Sequence, residues 1–294
     1  MPPPGGKIEH RATSPAASIR LVEVGPRDGL QNEARTVPTD AKIRFIDALS
    51  VTGLTEIEVS SFVSPKWVPQ LADAAEVFAG IHRAEGVTYS ALVPNRQGLD
   101  RAMAARADKV AVFTAASETF SLRNTNASIA ESLDRFRPVL RDAAVPVRGY
   151  VSTAFHCPFE GPIAPAQVVP VVGALFEMGC VEVSIGDTIG KATADDVSLL
   201  LELLLVEWPA DRLALHFHDT FGQAADNARV GAGMGITAFD SSAGGIGGCP
   251  YAPGAPGNVA TQALVAAFSG RTGVDPERLE AAAALVRPHL SVRS

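Results

Sequence analysis

A chain of 294 residues, 47% hydrophobic and 19% charged, is long enough for one barrel-sized domain and has ordinary globular composition. Its 25 basic and 32 acidic residues give a formal charge of −7, which argues against nonspecific nucleic-acid binding. No apolar run reaches the ~18 residues of a membrane helix, and the longest, residues 199–206, is broken by Glu202.

Residues 1–17 are rich in Pro, Gly and Ser and lack an apolar signal core, so they read as a disordered leader. The remainder, residues 18–294, reads as a single catalytic domain. Cys157, Cys180 and Cys249 lie far apart and form no CxxC. An odd number of such cysteines fits a reduced, cytoplasmic compartment.

The first predicted strand covers residues 19–24 and is followed by a polar loop from Gly25 to Pro38. A helix is predicted over 39–50, and Gly53 ends it. Strands then follow at 54–59, 88–92, 109–113, 147–151, 181–185, 213–217 and 236–239. Helices are predicted at 97–105, 128–143, 165–178, 194–207, 222–234 and 258–268. Eight strands alternating with helices indicate an α/β fold with a parallel sheet, and at this length a (β/α)8 TIM barrel. An open doubly wound sheet is the alternative, but its G-x-G-x-x-G fingerprint is absent after strand one.

A barrel gathers the C-terminal ends of its strands on one face, where active sites form. The seventh strand ends in His216-Phe217-His218, and strand alternation puts both imidazoles on one side. Asp28, just after strand one, and the amide oxygen of Asn258 complete a mixed nitrogen and oxygen set. Such a set suits Mg²⁺ or Mn²⁺, and its ligand types also admit Zn²⁺. Each residue has a plainer reading. Asp28 is also a turn residue in Arg-Asp-Gly, and Asn258 an N-cap of the last helix. Asp187 is also a cap for the following helix, and Glu23 and Glu58 are also anchors of polar barrel layers. Arg27, beside Asp28, fits a buried anion site. Cys249 sits among glycines, either as a small turn residue or as a thiol on a mobile lid able to exchange a proton.

Several segments, in order, carry a resemblance. They are VEVGPRDGLQNE at 22–33, EVSSFVSPKWVPQ at 58–70, RGYVS at 148–152, CPFEG at 157–161, GDTIG at 186–190, HFHDTFGQ at 216–223, and residues 240–261. The chain resembles the 3-hydroxy-3-methylglutaryl-CoA lyase family of metal-dependent carbon–carbon lyases from about residue 19 to 268. The resemblance implies that Asp28, His216, His218 and Asn258 ligate a divalent cation, Mg²⁺ or Mn²⁺. It implies that Arg27 stabilises an enolate, that Cys249 is a catalytic thiol, and that Glu58 and Asp187 are acidic catalytic positions. Gln31, with Arg27, would contact substrate. The implied substrate is the acyl-CoA thioester (S)-3-hydroxy-3-methylglutaryl-CoA, cleaved to acetyl-CoA and acetoacetate as in leucine degradation and ketone-body formation. A homo-oligomer, a dimer, is the expected assembly.

There are departures from the family pattern. His156 stands where a small residue is usual, which bears on acyl selectivity, and Phe217 separates the two histidines. No terminal cysteine is present for a regulatory switch. The competing readings are a lyase for a larger 3-hydroxy-3-alkylglutaryl-CoA, a condensing acyltransferase of the same family, and a metal-binding barrel without catalysis.

Overall fold

The computed structural model describes residues 17–249 and 252–291, with the backbone alone for 248–249 and 252–256. The expected leader therefore lies outside the described residues except for Ala17, and so does the thiol of Cys249.

Eight parallel strands close into a barrel, each beside its neighbours in the chain. They are β1 (Arg20–Glu23), β2 (Glu56–Ser61), β3 (Thr88–Leu92), β4 (Lys109–Ala115), β5 (Val147–Ser152), β6 (Glu182–Asp187), β7 (Leu213–Phe217) and β8 (Ala238–Ser241). Closure comes where β8 pairs with β1, from Arg20 opposite Ala238 to Glu23 opposite Ser241. The outer layer contains α1 (Thr39–Leu49), α2 (Ala74–Gly80), α3 (Arg96–Ala104), α4 (Glu118–Thr125), α5 (Ile129–Asp142), α6 (Pro165–Glu177), α7 (Ala194–Glu207), α8 (Ala224–Gly233), α9 (Thr261–Ala267) and α10 (Pro276–Val286). No described helix is long and apolar enough to cross a membrane.

Strand alternation divides the side chains into two sets. Outward residues such as Ile57, Val112, Val183, Ile185, Leu215 and Phe239 are wholly buried beneath the helices. Each contributes on the order of 1.5–3 kcal/mol of burial. Inward residues include a cluster of charged groups at the floor of the lumen. Arg20 on β1 pairs with Glu182 on β6, across the lumen from it, and with Glu56 at 2.7 Å. Lys109 reaches Glu56 at 2.9 Å and Glu182 at 3.5 Å. Arg148 on β5 joins Glu182 at 2.8 Å and Asp240 on β8 at 2.7 Å.

The predicted fold stands, with local corrections. The loop predicted from Gly25 to Pro38 begins as a π-helical turn, Gly25–Gly29. The N–H groups of Arg27, Asp28 and Gly29 all point at the Val24 carbonyl, at 3.2, 2.7 and 3.2 Å. Gly25 is required there, because a Cβ would lie 2.5 Å from Glu23 Oε1. Helices α2, α4 and α10 were not anticipated. In α4 only Phe120 and Ser121 are buried, too little for a visible apolar stripe. The last predicted helix starts at Thr261, not at Asn258. Residues 257–259 instead run extended along the ends of β7 and β8: Asp219 N–H donates to the Gly257 carbonyl at 2.7 Å, and Val259 N–H to that of Phe217 at 3.0 Å.

Candidate metal and acyl-CoA site

A cavity of about 940 Å³ opens at the C-terminal ends of the strands, lined in part by Arg27, Asp28, Gln31, Tyr150, His216 and His218. Ligand atoms of Asp28, His216 and His218 lie within 4.8 Å of one another. β7 supplies His216 and holds His218 just beyond its end, with ring centroids 5.4 Å apart. The π-helical turn presents Asp28, because it coils at once after β1 rather than running on into a loop.

Asn258 completes the cluster. Its Nδ2 donates to Asp28 Oδ2 at 2.8 Å and to the Ile246 carbonyl at 3.3 Å. Its bridge to His218 seats it there, so the N-cap reading of Asn258 is excluded. Gly247, at φ +114°, lets the chain pass, since a Cβ would lie 2.8 Å from Asn258 Nδ2. Asn258 Oδ1 and His218 Nδ1 are buried without a hydrogen-bond partner among the described residues. Leaving such a lone pair unmet costs about 1–3 kcal/mol. A divalent cation fits these donors, which are one carboxylate, two imidazoles and an amide oxygen.

The electrostatics agree with that fit. Burial raises the Asp28 carboxyl, but Arg27, His216 and His218 outweigh it and bring it down to about 2. Burial and the neighbouring His216 push His218 down to about 4, so it is a neutral ligand at ordinary pH. Burial lowers His216, but its bond to Asp240, Nδ1 to Oδ2 at 3.2 Å, prevails and raises it.

Arg27 is nearly buried beside this cluster. Its Nε donates to Glu58 Oε2 at 2.5 Å and its Nη1 to Asp28 Oδ1 at 2.6 Å. The guanidinium lies 5.5 Å from the Tyr150 ring centroid. A register shift in β2 between Glu58 and Ser60 falls at this point of contact. Burial raises the Glu58 carboxyl despite Arg27, and its Oε1 has no partner among the described residues.

Asp187 is placed differently. Its two oxygens accept from the N–H groups of Lys191 at 3.0 Å and Ala192 at 2.9 Å, shaping the turn into α7. Burial raises it to about 6. Glu23 lies behind the lumen, accepting from Gly25 N–H at 2.8 Å, Ala243 N–H at 2.9 Å and Thr261 Oγ1 at 2.7 Å. His156 is not among the cavity-lining residues; it lies in a short hairpin, 3.9 Å from Asp196 at the start of α7. Thr153, at φ +55°, donates its N–H to Thr188 Oγ1 at 2.7 Å, and Thr188 lines the cavity.

Sequence reasoning assigned no part to Arg148, Tyr150, Ser184 or Asp240. A signal was present: strand alternation puts Arg148 and Tyr150 on one face of β5, and Asp240 on the face of β8 opposite to the apolar Phe239.

Fold and site together define a class, a (β/α)8 barrel with a nitrogen-and-oxygen site fit for a divalent cation at its C-terminal strand ends. The HMGL-like family model matches residues 18–286, and the chain belongs to that family. It is 54% identical over 263 residues to the rat cytoplasmic 3-hydroxy-3-methylglutaryl-CoA lyase, covering 87% of this chain and 77% of that protein. It is also 54% identical over 267 residues to a Pseudomonas aeruginosa 3-hydroxy-3-isohexenylglutaryl-CoA/hydroxy-methylglutaryl-CoA lyase, covering 89% of each. The crystal structure of an HMG-CoA lyase from Brucella melitensis superposes with a TM-score of 0.92 at 51% identity, covering 94% of this chain and 99% of that one.

Proposed function

We propose that this chain is a hydroxymethylglutaryl-CoA lyase, cleaving (S)-3-hydroxy-3-methylglutaryl-CoA to acetyl-CoA and acetoacetate. The observation that carries the reading is Arg27, buried between Glu58 and Asp28 and directly beside the histidine pair. Asp28, His216, His218 and Asn258 would hold the cation. When bound, a divalent cation acidifies a chelated hydroxyl and fixes its orientation. Mg²⁺ or Mn²⁺ is our choice on donor type.

The remaining work falls to side chains. The substrate's tertiary hydroxyl loses its proton, the C2–C3 bond breaks, and C3 becomes the ketone of acetoacetate. The electron pair passes to C2 and its thioester carbonyl as an enolate. Arg27, held by two carboxylates before substrate arrives, is preorganised to receive that charge. We assign proton handling at the hydroxyl to Glu58, which has an oxygen to spare, and assign Asp187 to the shape of the β6 turn. Cys249 would give its thiol proton to C2 and recover one as product leaves. Gln31 and Arg123 on the cavity wall suit the polar and anionic parts of a CoA thioester. A cytoplasmic setting, that of the rat relative, and a dimer are the proposed location and assembly.

The test is cleavage of 3-hydroxy-3-methylglutaryl-CoA with and without Mg²⁺, reading acetoacetate. Cation-dependent acetoacetate release is expected, and its absence in the folded, metal-loaded protein would refute the assignment. A second reading is a lyase for larger 3-alkyl substituents. An apolar wall inside the lumen, Leu92, Ala111, Phe113 and Tyr150, favours it, as does the paired activity named for the Pseudomonas relative. The isohexenyl thioester in the same assay discriminates.

A further inference from the structure

His216 and His218 share the candidate site but differ in what holds them. His218 Nδ1 has no partner among the described residues. His216 Nδ1 meets Asp240 Oδ2 at 3.2 Å. That carboxylate cannot swing. Ser184 Oγ donates to its Oδ2 at 2.7 Å and Arg148 Nη2 to its Oδ1 at 2.7 Å, and the Asp240 side chain has no solvent exposure. Arg148 is itself anchored by Glu182 at 2.8 Å and by the Tyr150 hydroxyl at 3.0 Å. The Tyr150 ring stands nearly perpendicular to the His216 ring, at 86° and 6.5 Å between centroids, which bounds the imidazole on another side.

An ionised carboxylate only accepts hydrogen bonds. The proton of a neutral His216 therefore belongs on Nδ1, and Nε2 carries the open lone pair. We propose that Asp240 is a positioning residue for the cation site: it fixes the tautomer and ring angle of His216 and leaves Nε2 as the ligand nitrogen. Arg148 and Ser184 act one step further back by holding the carboxylate. The proposal rests on the reading of His216 as a ligand. Loss of such an outer hydrogen bond typically weakens metal affinity by roughly 10–100-fold.

The experiment uses metal-free full-length protein and titrates Mn²⁺ by electron paramagnetic resonance, without substrate, with CoA binding as the second readout. Asp240→Asn keeps the shape and removes the charge. Its Mn²⁺ dissociation constant should rise by roughly 10–100-fold while CoA affinity stays as in wild type. Ser184→Ala should give a smaller rise, and His216→Ala one at least as large as Asp240→Asn. If Asp240→Asn binds Mn²⁺ like wild type while His216→Ala does not, the positioning role is overturned and the metal site stands. If wild type binds no Mn²⁺, or His216→Ala binds it normally, both are overturned. Parallel loss of Mn²⁺ and CoA binding in Asp240→Asn marks general damage and also overturns the role. Should that variant not fold, ¹⁵N-histidine spectra of wild type at pH 9 decide: an Nδ1–H tautomer at His216 is expected, and an Nε2–H tautomer overturns the proposal.

Discussion

The floor and the mouth of the barrel lumen are built from the same residue types and behave oppositely. On the floor, three cations (Arg20, Lys109 and Arg148) face three anions (Glu56, Glu182 and Asp240), all within ion-pair distance. At the mouth, one cation, Arg27, faces two carboxylates, Asp28 and Glu58. Buried acceptors on Glu58, His218 and Asn258 stay unmet there. On the floor, Glu56 Oε1 and Arg148 Nε also lack a hydrogen bond, but each lies within 2.9 Å of an opposite charge, and charge balanced in this way holds a barrel shut. An excess of negative charge with open lone pairs is what a cation and a polar substrate complete. Buried ionic residues thus do not mark a site by themselves; the imbalance among them does.

That contrast can be broken at several points. Removing divalent cation should strike only the mouth. Chelation should cut turnover by several kcal/mol of barrier, on the order of 10³-fold, with recovery on Mg²⁺ or Mn²⁺. Full turnover after exhaustive chelation would erase the distinction. Lys109→Met should do the reverse. It leaves Glu56 and Glu182 to share Arg20 and Arg148, one buried negative charge in excess, and should cost about 3–5 kcal/mol of stability in urea denaturation, with Mn²⁺ affinity of the folded protein unchanged. A matching fall in Mn²⁺ affinity would mean that the two regions are one unit.

Arg27→Lys sharpens the account of the mouth. A single ammonium cannot bridge Glu58 and Asp28 as a planar fork does, and kcat should fall by about 10²–10³-fold, or ~2.7–4 kcal/mol. Near-normal kcat would remove Arg27 from the chemistry.

The smallest effect concerns Glu23, behind both regions. Burial raises it from 4.5 to about 7, against the pull of its three donors. The folded chain therefore keeps a proton there that the unfolded chain releases above pH 4.5. Stability should decline as pH rises from about 4.5 to about 7 and then level off, by at most about 3 kcal/mol. Glu23→Gln, which retains an acceptor for Gly25 and Ala243, should flatten that slope in pH-dependent thermal melts. An unchanged slope would assign it to another group.

Much of this was legible in the sequence. Strands β3 and β7 and helix α7 occupy the predicted residues because short apolar runs and a long capped helix leave few alternatives. Thr193 and Asp196 form the capping box that starts α7. The clustering of His216 and His218 with Asp28 was legible because strand parity and barrel topology fix it. The extended run that carries Asn258 was not. Its hydrogen bonds go to Phe217, Asp219 and Ser242, contacts made after the barrel closes, whereas locally it reads as the start of a helix. Asp240 was missed for a related reason. Its partners Arg148, Ser184 and His216 come from three other strands, and no local spacing announces them.

Thr153 carries a consequence for engineering. A β-branched residue in the left-handed region costs roughly 1–2 kcal/mol, and here the cost is borne beside the cavity, where the Thr153 N–H steadies Thr188. Asparagine or glycine tolerates that backbone with less strain. A heat-challenge screen blind to turnover would therefore enrich both at this position. Variants kept for thermal endurance alone would gather at the rim of the barrel, where the backbone N–H that holds Thr188 is kept but the Thr153 hydroxyl bond to the Ser152 carbonyl is lost.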